Sequence, residues 1–148
     1  MKTIDDKDYT ILSVLQENSK LSTQQISRKT RIPITTVHNR IKKLETRGII
    51  KGYTAVIDDK RLGNITAFIF MAVMYHLPDG TVLNQEELGV KVKRHQSVQE
   101  VYIITGSRDL IAKVRVKTVD ELNDFVIKYL RSIPGIERTE TAVVLKSV

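Results

Sequence analysis

Three features of the sequence predict an α+β chain in two parts. Helical periodicity runs to about residue 50, strand-like runs of β-branched residues begin near residue 67, and a polar, turn-rich segment, DDKRLG at 58–63, lies between them. The first part reads as a helix-turn-helix unit, winged-helix-like, and the second as a four-stranded sheet carrying two helices.

Asp5 and Asp8 stand three apart before an apolar pattern, as in a capping box, with Ile4 and Tyr9 placed for a hydrophobic staple. Ile11, Leu12 and Leu15 supply the buried stripe of that first helix, which ends near Asn18. Ser22 and Gln25 repeat the capping pattern and open a short helix that carries Ile26 and stops before Ile32-Pro33. A third helix starts at about Ile34, because Pro33 disfavours a helical conformation for the residue before it. Its inner positions are Val37, Ile41 and Leu44, and Gly48 ends it. Residues 53–57 then read as a strand.

Beyond the boundary, 67–75, 98–105, 110–116 and 142–145 have strand length and composition. Residues 86–95 and 119–131 read as helices, the second with Leu122, Phe125, Val126 and Leu130 on one face. The order βαββαβ is that of a ferredoxin-like split βαβ unit, an antiparallel sheet with both helices on one side. The expected division is a helix-turn-helix domain at 1–57, a linker at 58–63 and a ferredoxin-like domain at 64–148.

Charge points to the partner. Between positions 28 and 51 stand eight basic residues against one acid, Glu45, so this segment alone carries the +7 of the whole chain. A basic patch confined to one small helical unit is the footprint of a nucleic-acid backbone. With the third helix turning about 100° per residue, Thr35, Asn39, Lys42, Lys43 and Thr46 point outward, with Thr36 and His38 flanking them near the N-terminal end. That end of a recognition helix meets base edges, while Lys42, Lys43 and Arg47 suit phosphates. Arg40 falls on the core side and reads as a packing or ion-pair residue.

Other classes recede. No cysteine is present, which removes disulfides and thiolate metal sites and suits a cytoplasmic protein. The N-terminus lacks the basic and apolar regions of a signal peptide, and no apolar run approaches the ~20 residues of a membrane span. No phosphate-cradling glycine loop or HExxH pair occurs, and His38, His76 and His95 are scattered, so neither catalysis, a metal nor a cofactor is expected. Residues 67–75 are apolar on both alternating faces, whereas two helices cover only one face of a four-stranded sheet, so a second copy is expected on the other. Lys113 and Arg115 share a face and would make that interface partly polar.

The segment LSTQQISRKTRIPITTVHNRIKKLETRGIIKGYTAVID, with RIKKLE at 40–45, resembles the DNA-binding half of the Lrp/AsnC (feast/famine) regulators. TGSRDL at 105–110 and IPGIERTETAVVL at 133–145 resemble the effector half of the same family, so the likeness covers essentially the whole chain. Pro33 departs from it, standing where the family often has a capping Ser, and so does Arg108, where an aromatic or small residue is usual. The resemblance implies a transcription regulator that binds duplex DNA, forms a homodimer or larger assembly, and responds to an amino acid bound between subunits. It also implies an effector pocket at Thr105, Gly106, Arg108, Asp109, Thr139 and Thr141. Asp109 would face the ligand ammonium, and backbone N–H groups and hydroxyls its carboxylate. Two alternatives remain: sirohaem decarboxylases of similar architecture, which need no DNA-reading helix, and a ligand-free architectural DNA-binding protein.

Overall fold

The Asp5 capping box forms as its spacing requires. Asp5 accepts the Asp8 N–H at 3.0 Å, and Asp8 accepts the Asp5 N–H at 3.2 Å. It opens α1 (Asp6–Glu17). The computed structural model describes residues 4–146, and the chain divides into two units, one up to Val56 and one from Ile57. In the first unit α2 (Thr23–Thr30) begins at the Ser22–Gln25 capping box, and α3 (Ile34–Thr46) begins at Pro33 with no side-chain cap. Ile11, Val14, Leu15, Ile26, Ile32 and Val37 form the shared core, with Leu21, Ile41 and Ile50 packed against it.

Two expectations for this unit are corrected. Val14 is buried and Leu12 only half-buried, and Tyr9 is 61% exposed, too open to close a staple over Ile4. Residues 53–57 form no strand and pair with none among the described residues; Val56 is fully exposed. A strand needs a ladder partner for its N–H and C=O groups, and the described residues offer none here.

The second unit has the expected topology with shifted edges. β1 (Ile65–Val73), α4 (Gln85–Lys93), β2 (Val98–Ile103), β3 (Leu110–Val116), α5 (Val119–Asp124) and β4 (Ile136–Val143) follow in that order. The sheet runs β2-β3-β1-β4, all antiparallel. β4 starts six residues before the expected 142. It is an edge strand whose residues Ile136–Val143 are mostly exposed, so it lacks the apolar run by which a buried strand is read. The helix expected at 119–131 continues past α5 as a π-helical turn, Phe125–Tyr129, and a 3-10 turn, Leu130–Ser132.

Burial alternates strictly along β1 and β3. Ala67, Ile69, Met71, Leu110, Ala112 and Val114 point to one face, where Leu88 and Val92 of α4 and Leu122, Phe125 and Leu130 cover them. Directly paired residues of antiparallel strands share a face. The other face therefore carries Phe68 and Phe70 from β1, Lys113 and Ile111 beside them from β3, and Ala142 and Glu140 from β4. Among the described residues of this unit, both helices pack on the opposite face. Gly135, at φ +98°, lets the backbone enter β4 beneath Leu83: a Cβ there would stand 2.2 Å from Leu83 Cδ1.

Candidate DNA-reading helix and effector site

Helical periodicity sets what α3 presents. Val37 and Leu44 are buried and Ile41 half-buried, so Thr35, His38, Asn39, Lys42, Lys43 and Arg47 are exposed along the opposite side. Thr36 is half-buried, turned from that strip toward the body of the unit. Arg40 takes the ion-pair role its position on the helix implies. Its Nη1 donates to Asp5 Oδ1 at 2.5 Å and to Asp8 Oδ1 at 2.9 Å, tying α3 to the cap of α1.

This contact predicts an acid sensitivity. The hydrogen bond from the Arg40 guanidinium, followed by the Asp8 N–H, holds the Asp5 carboxyl below the usual carboxylate range. A carboxyl whose pKa is lowered on folding contributes stability above its unfolded value, roughly pH 4, and loses it as pH falls through the folded value. Arg40→Ala should therefore lower the urea midpoint of the first unit at pH 6, and the gap from the parent should narrow as pH falls below the ordinary carboxylate range. A gap that persists undiminished at acid pH would contradict the role of the ion pair.

Of the eight cations between 28 and 51, Lys29 pairs with Glu17 at 2.5 Å and Arg40 with Asp5 and Asp8. Among the described residues, Arg28, Arg31, Lys42, Lys43 and Lys51 enter no ion pair, so their charge is available to a phosphate backbone. Arg31 caps α2 in the left-handed conformation (φ 58°), where glycine would sit without strain. Its charge is legible in the sequence, but this backbone placement is not. A shallow notch of about 400 Å³ lies at the N-terminal end of the same surface, lined by Thr23, Ile34, Thr35, His38 and Asn39.

In the second unit, Asp109 closes the turn between β2 and β3. Its backbone N–H donates to Met71 C=O at 2.9 Å. Its Oδ2 accepts the Val73 N–H at 3.0 Å, and its Oδ1 accepts from the Tyr75 hydroxyl at 2.8 Å and Gln85 Nε2 at 3.1 Å. A carboxylate offers about four lone-pair sites. Three are taken, so one remains. The bonded Asp109 carboxylate pushes the Tyr75 hydroxyl above its ordinary pKa. Tyr75, expected only as the end of a strand, and Gln85 thus join this candidate site; neither lies in a motif, and only the fold brings them to Asp109.

The remaining candidates divide between the faces of the sheet. Arg108 donates to Glu140 at 2.9 Å and to Ser107 C=O at 2.8 Å, on the uncovered side. Its Nε is buried without a partner among the described residues. Thr139 and Thr141 pair with Met71 and Ile69, so they stand on the helix-bearing face. Thr105 and Gly106 are exposed in the turn, and at Gly106, φ +114°, no atom of the described residues beyond its chain neighbours lies within 4 Å of where a Cβ would stand. One chain therefore does not gather all six residues on one surface.

A separate cleft of about 880 Å³ lies beside the π-helical turn, with His95, Arg115, Lys117, Asp124, Lys128 and Tyr129 among its walls, and none of the six lines it. Its charges are partly neutralised within the chain, Arg115 by Asp59 at 2.6 Å and Lys128 by Asp124 at 2.8 Å. Among the described residues, no cluster of three or more His, Asp or Glu could hold a metal ion, and no helix is long and apolar enough to cross a membrane.

Residues 66–148 match the Lrp/AsnC ligand binding domain, and residues 4–51 match a winged helix-turn-helix DNA-binding unit. The chain is 38% identical to the HTH-type transcriptional regulator FL11 of Pyrococcus furiosus, over 97% of this chain and 90% of that one. Among solved structures it resembles a transcriptional regulator of Neisseria meningitidis, NMB0573, in complex with L-Met. That match has a TM-score of 0.81 and 25% identity, over 99% of this chain and 92% of the other. AsnC of Escherichia coli matches with a TM-score of 0.76 and 26% identity, over 98% and 94% of the two chains.

Proposed function

Because this chain belongs to the Lrp/AsnC family of transcriptional regulators, we propose that it binds specific duplex sequences through α3 and that an amino acid modulates that binding. The observation that carries the DNA reading is the outward strip of α3. Thr35, His38 and Asn39 are exposed at the end that meets base edges, and Lys42 and Lys43, unpaired among the described residues, follow on the same helix. Such side chains match the donor and acceptor edges of the major groove, Asn with adenine in particular. Arg47 adds a further exposed cation at the helix end.

An amino-acid effector is supported by the chemistry of the 105–109 turn and by the L-Met bound to the Neisseria relative. The remaining acceptor site of Asp109 suits an ammonium, and the open backbone at Gly106 suits a carboxylate. Because Thr139 and Thr141 stand on the face opposite Arg108, the proposed pocket is built on the 105–109 turn with Tyr75 and Gln85, without the two threonines. The uncovered sheet face is where the two copies meet.

A thermal-shift screen of the common amino acids, followed by DNA binding with each hit, tests this reading. An effector at about 100 times its Kd adds about 2.7 kcal/mol of stability. Asp109→Asn should abolish the shift; it should also lower the melting temperature of the unliganded protein, because Asp109 holds Val73, Tyr75 and Gln85 together. Stability unmoved by every amino acid would refute the effector while leaving the DNA reading intact.

A further inference from the structure

We propose that the start of α3 reads a thymine through its 5-methyl group, with Ile34 and the Thr35 methyl as the apolar contacts; this rests on the proposed binding of duplex DNA by the same helix. Ile34 is 42% exposed although α3 buries other apolar side chains, Val37 and Leu44. Isolated exposed apolar residues are common, so exposure alone decides nothing. The position of Ile34 decides it. It lines the notch formed with Thr23 at the start of α2 and with Thr35, His38 and Asn39, inside the segment that carries the chain's net positive charge. A surface of that charge receives a phosphate backbone, and what then enters a notch at the head of the helix is the edge of a base.

The chemistry of the notch selects among bases. In the major groove thymine alone carries an apolar group, the 5-methyl, and Ile or Thr methyl groups are its natural contacts. Cytosine presents an amino donor instead and gains nothing from Ile34. Asn39 lies one turn along from Thr35, a rise of about 6 Å, against roughly 3.4 Å between base pairs. An adenine held by Asn39 and a thymine against Ile34 and Thr35 are thus one or two base pairs apart.

The test uses the full chain and an operator selected by it from random duplexes. Each thymine is replaced in turn by deoxyuridine, which removes one methyl and keeps the base pair. Replacement at one thymine per half-site, one or two pairs from the Asn39 contact, should weaken binding about fourfold, the equivalent of about 0.8 kcal/mol for a methyl-sized group. Ile34→Ala should lose most of the discrimination between thymine and deoxyuridine operators, with Thr35 keeping the remainder, and Ile34→Val should lose less. Should Ile34→Ala melt at a lower temperature, the deoxyuridine series on the unaltered protein still decides. Indifference of that protein to every replacement overturns the methyl contact and leaves DNA binding standing. Failure to select any operator overturns both.

Discussion

Raising salt from about 50 to about 200 mM should lower the affinity for a selected operator by about 10³–10⁵, as expected when six to ten phosphates are neutralised. The cations for this are at hand. Arg28, Arg31, Lys42, Lys43 and Lys51 form no ion pair among the described residues, and the proposed dimer would double their number. Lys29 and Arg40 contribute less, because each is held by carboxylates of α1. Lys42→Ala and Lys43→Ala should weaken binding to all sequences alike and flatten the salt dependence by about one unit of slope per lost phosphate contact. Asn39→Ala should instead change which sequence is preferred. Filter binding or fluorescence anisotropy across a salt series reads all of these. An affinity that ignores salt, or is equal for selected and random duplexes, would contradict a specific regulator.

Legibility in the sequence followed the range of the interactions involved. Capping boxes are local, and those of Asp5–Asp8 and Ser22–Gln25 both form at the expected residues. β3, apolar on its buried face and flanked by turns, matches its expected span, Leu110–Val116. β4 shows the opposite case. Arg138, Thr139 and Glu140 carry no apolar signature, and they form a strand because β1 supplies the ladder. Residues 53–57 have strand composition but no partner among the described residues, and composition without a ladder leaves them unpaired.

The two candidate sites divide along the same line. Arg40 could be assigned to an ion pair because its angle on α3 follows from its number alone, and its Asp5 and Asp8 partners are where a helix packed on α1 would find them. Asp109 could be picked out by resemblance, yet its actual partners, Val73, Tyr75 and Gln85, lie at least 24 positions away. Nothing in a linear pattern joins them. The pairing of Arg108 with Glu140 likewise depends on the register of β4 against β1, which decides that Glu140 and not Thr139 shares a face with Phe70.

Phe68→Glu should convert a dimer into a monomer and lower operator affinity by about 10²–10⁴, the gain that linking two binding modules confers. Phe68 and Phe70 lie mid-sheet on the face opposite this unit's helices, flanked by Ile111 and Ala142. Each is only half-buried, so the chain by itself leaves part of two aromatic rings in water. The cations expected to make this face polar are neutralised from within. Lys113 lies 3.6 Å from Glu100, Arg115 2.6 Å from Asp59, and Arg108 2.9 Å from Glu140. An apolar centre with internally paired charges around it can meet its own copy without juxtaposing like charges. A glutamate at position 68 is tolerable in the monomer, because Lys113 stands directly opposite in the neighbouring strand. In the dimer it sits in the apolar centre, where an ion must be desolvated. Light scattering at micromolar concentration should give twice the chain mass for the parent and the single mass for the variant, with the melting temperature of the variant monomer showing that it is folded. A parent protein already monomeric, or a variant still dimeric, would exclude this face as the interface and with it the palindromic operator that two recognition helices require.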